Sequence, residues 1–181
     1  HELGRMLDLV QPSRVILLGD MFNKGPDPDG TWSLIQEWRA EAVLGNHDVA
    51  VLERAKKGDV RVPNNALSWL QTLPLTLSEQ HWIAVHAGLP PNGMPVQQKH
   101  AIRLRRWPDD RDDQNPFWWQ LYTGDRLVLY GHDAVRGLQD HRPHTLGLDT
   151  GCVYGNQLSG YCLETDEVIQ ISAVRPYKSV G

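Results

Sequence analysis

The chain of 181 residues has only two cysteines, Cys152 and Cys162, and both fall where paired strands are expected. Two thiols make neither a disulfide framework nor a zinc knuckle, so they read as small core residues, a usage that suits a reducing cytoplasm. No apolar run approaches the roughly 20 residues that span a bilayer, and no signal-like segment stands at the start, so no membrane partner is expected. Basic charge is not in excess either. A net charge of −4 leaves no footprint for duplex nucleic acid, although it leaves a nucleotide open. Neither an internal repeat nor a shift in composition divides the sequence, and its length fits one domain over residues 1–181.

What is present is one pattern repeated four times. Val15-Ile16-Leu17-Leu18 runs into Gly19-Asp20, and Glu41-Ala42-Val43-Leu44 runs into Gly45-Asn46-His47-Asp48. Trp82-Ile83-Ala84-Val85 runs into His86-Ala87-Gly88, and Leu127-Val128-Leu129-Tyr130 runs into Gly131-His132-Asp133. Each apolar run of four reads as a short strand buried on both faces, ended by a turn that carries a polar side chain.

The intervening sequence supplies helices. Leu3, Met6, Leu7 and Val10 have the spacing of one amphipathic helix. Pro28-Asp29-Gly30-Thr31 starts a second, which buries Trp32, Leu34, Ile35 and Trp38. Strand, helix, strand with a short return marks a parallel crossover. Further helices are expected over residues 49–57, from Asn64 to Leu73, and over 116–122, with a hairpin of residues 75–85 leading to His86. Residues 88–113 are rich in Pro, Gly and charge and read as an irregular loop suited to substrate handling. Three strands joined by tight turns are expected over residues 145–173. Trp118 and Trp119 read as core, while Trp107 is open between packing and stacking on a base.

In open α/β sheets ligands collect at the carboxyl ends of strands, so Asp20, Asn46, His86 and His132 converge if their strands are neighbours. One carboxylate, one amide oxygen and two imidazoles suit a catalytic divalent ion such as Mn, Fe or Zn better than a structural zinc. His47 projects in a different direction from Asn46 and is either a proton donor to a leaving group or a turn residue. Lys24 is either a point charge for an anionic substrate or a solvated lysine.

These segments resemble the motifs of the calcineurin-like metallophosphoesterases. Gly19-Asp20-Met21-Phe22-Asn23-Lys24-Gly25 resembles their G-D-x-x-D-R-G, and Gly45-Asn46-His47-Asp48 their G-N-H-[DE]. Val85-His86-Ala87-Gly88 and Tyr130-Gly131-His132 resemble the later histidine motifs. Asp149-Thr150-Gly151, with Tyr154, Gly155 and Leu158, resembles the closing hairpin of the bacterial Ser/Thr phosphatase and diadenosine-tetraphosphatase branch. The resemblance implies an α/β layered fold, with mixed sheets packed as a sandwich flanked by helices and a metal site at the strand ends. It implies a cytoplasmic metal-dependent phosphoesterase in which two divalent ions, Mn2+ first, promote in-line attack of a metal-bound hydroxide. Asp20 bridges the ions, Asn46, His86 and His132 complete one of them, and His47 protonates the leaving oxygen. Lys24, Asn46 and Arg106, chosen from Arg103, Arg105 and Arg106, hold phosphate.

Three departures shape the expectations. The family's D-x-H-G motif has no counterpart in residues 1–181, so an upstream segment that supplies its strand and the second ion's remaining Asp and His is expected. Asn23-Lys24 replaces Asp-Arg, so Asn23 supports His47 with a hydrogen bond and no charge, and Asp48 restores negative charge nearby. A short loop after Gly88 leaves less surface for a folded phosphoprotein. The substrate expected is a phosphomonoester or a nucleoside polyphosphate of the diadenosine tetraphosphate kind. A Ser/Thr phosphoprotein phosphatase and a non-catalytic binder of metal and phosphate are the alternatives.

Overall fold

The computed structural model describes residues 1–179. Its first helix, α1 (Glu2–Val10), buries Met6 and Leu7 and ends at Gln11 in a left-handed conformation. A strand of two residues, β1 (Ile16–Leu17), follows. The second helix, α2 (Pro28–Glu37), begins where expected, because Pro28 fits the first turn and the Asp27 carboxylate accepts the Gly30 N–H. It returns the chain to β2 (Glu41–Ala42), which pairs with β1 in parallel.

Next come α3 (Asn46–Ala55) and α4 (Asn64–Leu70). The hairpin β3 (Thr76–Ser78) and β4 (Trp82–Val85) is antiparallel. After α5 (Gln98–Arg103) and α6 (Trp118–Leu121), strand β5 (Leu127–Tyr130) joins β4 in parallel. Two short strands follow, β6 (Gln139–His141) and β7 (Thr145–Gly147), and the five strands form one mixed sheet in the order β3-β4-β5-β7-β6. The last two, β8 (Gln157–Cys162) and β9 (Glu167–Ser172), form a separate hairpin against which α1 rests. Among the described residues no helix is long and apolar enough to cross a membrane.

The strand ends are set by burial. Every residue of β4 is buried, as its unbroken apolar run requires, and Val128 to Tyr130 of β5 are buried beside it. Trp118 is 1% exposed at the heart of the cluster beneath this sheet and meets Tyr130 edge-on at 5.0 Å between ring centres. Trp107 and Trp119 pack partly buried against the same cluster. Trp119 also stacks on His141 at 4.2 Å.

Several expectations are corrected. Strand β1 is half-buried, because β2 covers one edge while Ile16 and Leu18 line a cavity of about 870 Å³. The segment 88–113 is not wholly irregular: α5 buries His100, Ala101 and Ile102. Residues 145–154 are not one strand. β7 stops at Gly147, and Cys152–Tyr154 is a 3-10 turn, because the Thr150 hydroxyl donates to the Gln157 carbonyl and closes the corner. β6 carried no sequence signal, as Gln139, Asp140 and His141 form a polar edge strand. Cys152 therefore lies on a turn and Cys162 ends β8; both are half-buried free thiols instead of core residues.

Candidate functional site

Two parallel pairs, β1 with β2 and β4 with β5, lie in different sheets, yet their carboxyl ends meet. The corners that follow these strands are tight. Gly19 has φ +91°, and a Cβ there would come within 2.8 Å of the Gly45 nitrogen and of His86 Nδ1. A Cβ on Gly45 would meet Asp20 Oδ1 at 2.2 Å. Both glycines are thus required by close approach, and Gly19 by its left-handed turn as well. Asp20 (φ 64°) and His132 (φ 71°) occupy left-handed conformations, a cost that folded proteins commonly carry at functional positions.

At the meeting point the four convergent side chains touch. His86 Nε2 lies 3.0 Å from Asn46 Oδ1 and 3.4 Å from Asp20 Oδ2. His132 Nδ1 lies 3.0 Å from the same Asn46 oxygen, and the two imidazoles are edge to face at 5.1 Å. His86 Nδ1 sits 2.6 Å from the Leu18 carbonyl, which only accepts, so Nδ1 carries the hydrogen. Burial holds the His86 imidazole below its ordinary value and pushes His132 down to about 3, with His86 and Arg105 adding to the shift. A neutral His86 of this tautomer turns a lone pair toward a carboxylate oxygen and an amide oxygen. His86 Nε2 and these two oxygens then face one another with no donor between them, which is unfavourable unless a cation joins them. The hydrogen bond from the far ring nitrogen to a backbone carbonyl is also how metal-binding histidines are commonly oriented. Among the described residues no three His, Cys, Asp or Glu side chains form a cage by themselves. The set that fits an ion includes the Asn46 amide.

Burial also pushes the Asp20 carboxyl up to about 6, against the pull of His47 and its backbone N–H, which donates to Asp20 Oδ1 at 2.8 Å. His47 stands at the rim: its Nε2 is 3.9 Å from Asp20 Oδ2, and its Nδ1 is 2.7 Å from the Asn23 amide nitrogen. Burial holds this imidazole down, only partly opposed by Asp20. Asp48 does not reach His47. Fully buried, it accepts the N–H groups of Asp20, Met21 and Gly45 at 2.7, 3.0 and 3.0 Å and ties the two corners together.

Lys24 lines the cavity and donates to the Tyr154 hydroxyl at 2.5 Å. Of the three arginines, Arg105 lines the cavity, ion-paired with Asp133 at 3.5 Å. Arg106 turns away: it donates to the Asn115 carbonyl and covers the Phe117 ring at 4.2 Å. Sequence reasoning missed Arg105 as the cavity arginine, the Leu18 carbonyl, Arg54 and the half-buried Asp149, whose pKa desolvation raises. The D-T-G segment pointed toward Asp149, and Arg54 lies two helical turns beyond His47; a backbone carbonyl has no sequence signal.

With this geometry established, residues 1–164 match the model of the calcineurin-like phosphoesterase family. An asymmetrical bis(5'-nucleosyl)-tetraphosphatase of Anoxybacillus flavithermus is 25% identical, over 98% of this chain and 83% of its own length. A symmetrical bis(5'-nucleosyl)-tetraphosphatase of Methylobacillus flagellatus is 24% identical, over 94% of this chain and 90% of its own. Among solved structures, a protein provisionally named a diadenosine tetraphosphatase superposes with a TM-score of 0.85 at 28% identity, covering 95% of this chain and 87% of its own. A metallophosphoesterase of Sphaerobacter thermophilus, at 15% identity and a TM-score of 0.57, shares the fold.

Proposed function

The chain belongs to the calcineurin-like phosphoesterase family, and on that premise we propose that its strand-end site hydrolyses nucleoside polyphosphates of the diadenosine tetraphosphate class. The observation that carries the reading is the acceptor cluster of Asp20, Asn46 and His86, with His86 oriented by the Leu18 carbonyl. Family membership makes the chain a metal-dependent hydrolase of phosphoester or phosphoanhydride bonds. The two tetraphosphatase relatives and the superposing structure support the narrower substrate class.

In this reading Asp20, Asn46, His86 and His132 would hold divalent metal, and their mixed oxygen and nitrogen donors suit Mn2+, Fe2+ or Zn2+, with Mn2+ the first to be tried. A divalent ion supplies Lewis-acid polarisation of a phosphoryl oxygen and a more acidic bound water. The chain's own groups do the rest. Lys24 and Arg105 bring positive charge to the cavity wall, where a polyphosphate would otherwise meet Asp20, Asp133 and Asp149. His47 Nε2 offers a hydrogen at the rim, where a leaving oxygen would depart.

The test is a parallel assay of the full-length protein on diadenosine tetraphosphate, a phosphopeptide and p-nitrophenyl phosphate, with Mn2+ added. Preferred turnover of the dinucleotide, lost in Asp20→Ala and His86→Ala, supports the reading. Preference for the phosphopeptide would replace it.

A further inference from the structure

We infer that Arg54 and Asn23 form a positioning pair that keeps the hydrogen of His47 on Nε2, so that the site serves leaving groups that depart as weak bases. Those are the terminal phosphates of a nucleotide anhydride, as opposed to the alkoxide of a serine or sugar ester. The inference rests on the hydrolase reading above and goes beyond it by deriving the leaving group from a hydrogen-bond chain.

The chain is directional because two of its members can only donate. Arg54 Nη2 lies 2.9 Å from Asn23 Oδ1. A guanidinium has no acceptor, so the atom facing it must be the amide oxygen. The amide nitrogen of Asn23 is then the atom 2.7 Å from His47 Nδ1. An amide NH2 also only donates, so Nδ1 presents a lone pair. Neutral His47 therefore carries its hydrogen on Nε2, the nitrogen that faces Asp20 across the cavity.

Arg54 is held in place by simple helix geometry. It follows His47 by seven residues on α3, two turns along the same face, and Asn23 on the β1 loop spans the gap. Its side-chain partner among the described residues is Asn23.

The consequence is chemical. A carboxylate at position 23 would accept from Nδ1–H and support a doubly protonated ring, which could release the Nε2 hydrogen and return to neutral. With Asn23 donating, loss of the Nε2 hydrogen would leave an imidazolate. The hydrogen is thus shared and not transferred. When the bond between phosphorus and the leaving oxygen breaks, the electron pair stays on that oxygen, which leaves as an anion holding a hydrogen bond from Nε2–H. Water supplies the oxygen that forms the new bond, and its proton passes to solvent. A phosphate leaving group tolerates this, whereas an alkoxide does not.

Two measurements on full-length protein test the pair. Nitrogen-15 correlation spectra of His47 should show the Nε2–H tautomer in the native protein and Nδ1–H in the near-isosteric Asn23→Asp. The ratio of kcat/KM for p-nitrophenyl phosphate over phenyl phosphate should fall by about tenfold or more in Asn23→Asp, since full general-acid assistance is typically worth about 10²- to 10⁴-fold and helps the poorer leaving group most. Exposed Arg54→Met frees the amide to rotate and should give mixed tautomers with an intermediate ratio. An Nδ1–H tautomer in the native protein, or one ratio shared by all three proteins, overturns the inference. If no divalent ion elicits turnover of either ester or of diadenosine tetraphosphate, the hydrolase reading fails, and the tautomers alone decide whether the positioning pair stands.

Discussion

Asp48, at the start of α3, accepts the backbone N–H of Asp20 at 2.7 Å and so fixes the corner after β1 to the corner after β2. Burial pushes its carboxyl up to about 6, yet at neutral pH it remains ionised and takes three N–H donors. Asp48→Ala strands those donors and should destabilise the protein by about 3–5 kcal/mol, as read by chemical denaturation. Asp48→Asn, which keeps one acceptor, should cost less.

Metal removal should expose the acceptor cluster at the strand ends. Chelation is expected to abolish hydrolysis and lower the melting temperature. Added Mn2+ at about 100 times its dissociation constant should restore about 2.7 kcal/mol, visible as a metal-dependent Tm. Asp20→Ala should remove that dependence, because the carboxylate is the only charged member of the set.

His47→Ala should lower kcat on diadenosine tetraphosphate by about 10²- to 10³-fold, the usual worth of one donor to a developing charge, without changing metal content. Metal analysis alongside kinetics separates this outcome from loss of an ion, which would show His47 to be a ligand instead.

Gly45→Ala should damage the site more than the fold. The added Cβ would sit 2.2 Å from Asp20 Oδ1 and 2.6 Å from the Asp20 backbone nitrogen, so both the carboxylate and the corner that carries it must shift. The expected result is loss of Mn2+ binding in calorimetry, with the far-UV spectrum preserved.

Glu2 anchors α1 to the end of the described chain: its Oε1 accepts the Val174 N–H at 2.8 Å and the Tyr177 hydroxyl at 2.9 Å. Burial raises its pKa, but the two hydrogen bonds outweigh that and hold it below the ordinary 4.5. The folded value is thus the lower one, and the stabilisation is present above pH 4.5 and lost as pH falls through the folded pKa. Glu2→Gln should cost about 1–2 kcal/mol near neutral pH, and the gap to the native protein should close in the acid range.

Much of the fold was legible because burial writes its own period. The run from Trp82 to Val85, the helix from Glu2 to Val10 and the start of α2 at Pro28 all form where the pattern places them. Short polar elements were not legible: Gln139 to His141 forms a strand only because β7 offers it an edge. Trp118 is core, as its aromatic segment suggests, but only the packing of α6 under β5 makes it the centre of the cluster.

The sequence by itself determined the strand-end side chains, Asp20, Asn46, His86 and His132, because apolar runs followed by glycine and a polar residue can be read locally. Tertiary structure decided everything directional. It chose Arg105 over Arg106 for the cavity, turned Asp48 onto backbone donors, and set the Leu18 carbonyl against His86. It also placed Arg54 against Asn23, and so chose which nitrogen of His47 holds the hydrogen. A hydrogen bond's direction depends on which atoms oppose each other across space, and although His47 and Arg54 share one helix face, no local pattern announces that Asn23 bridges them with its oxygen toward Arg54.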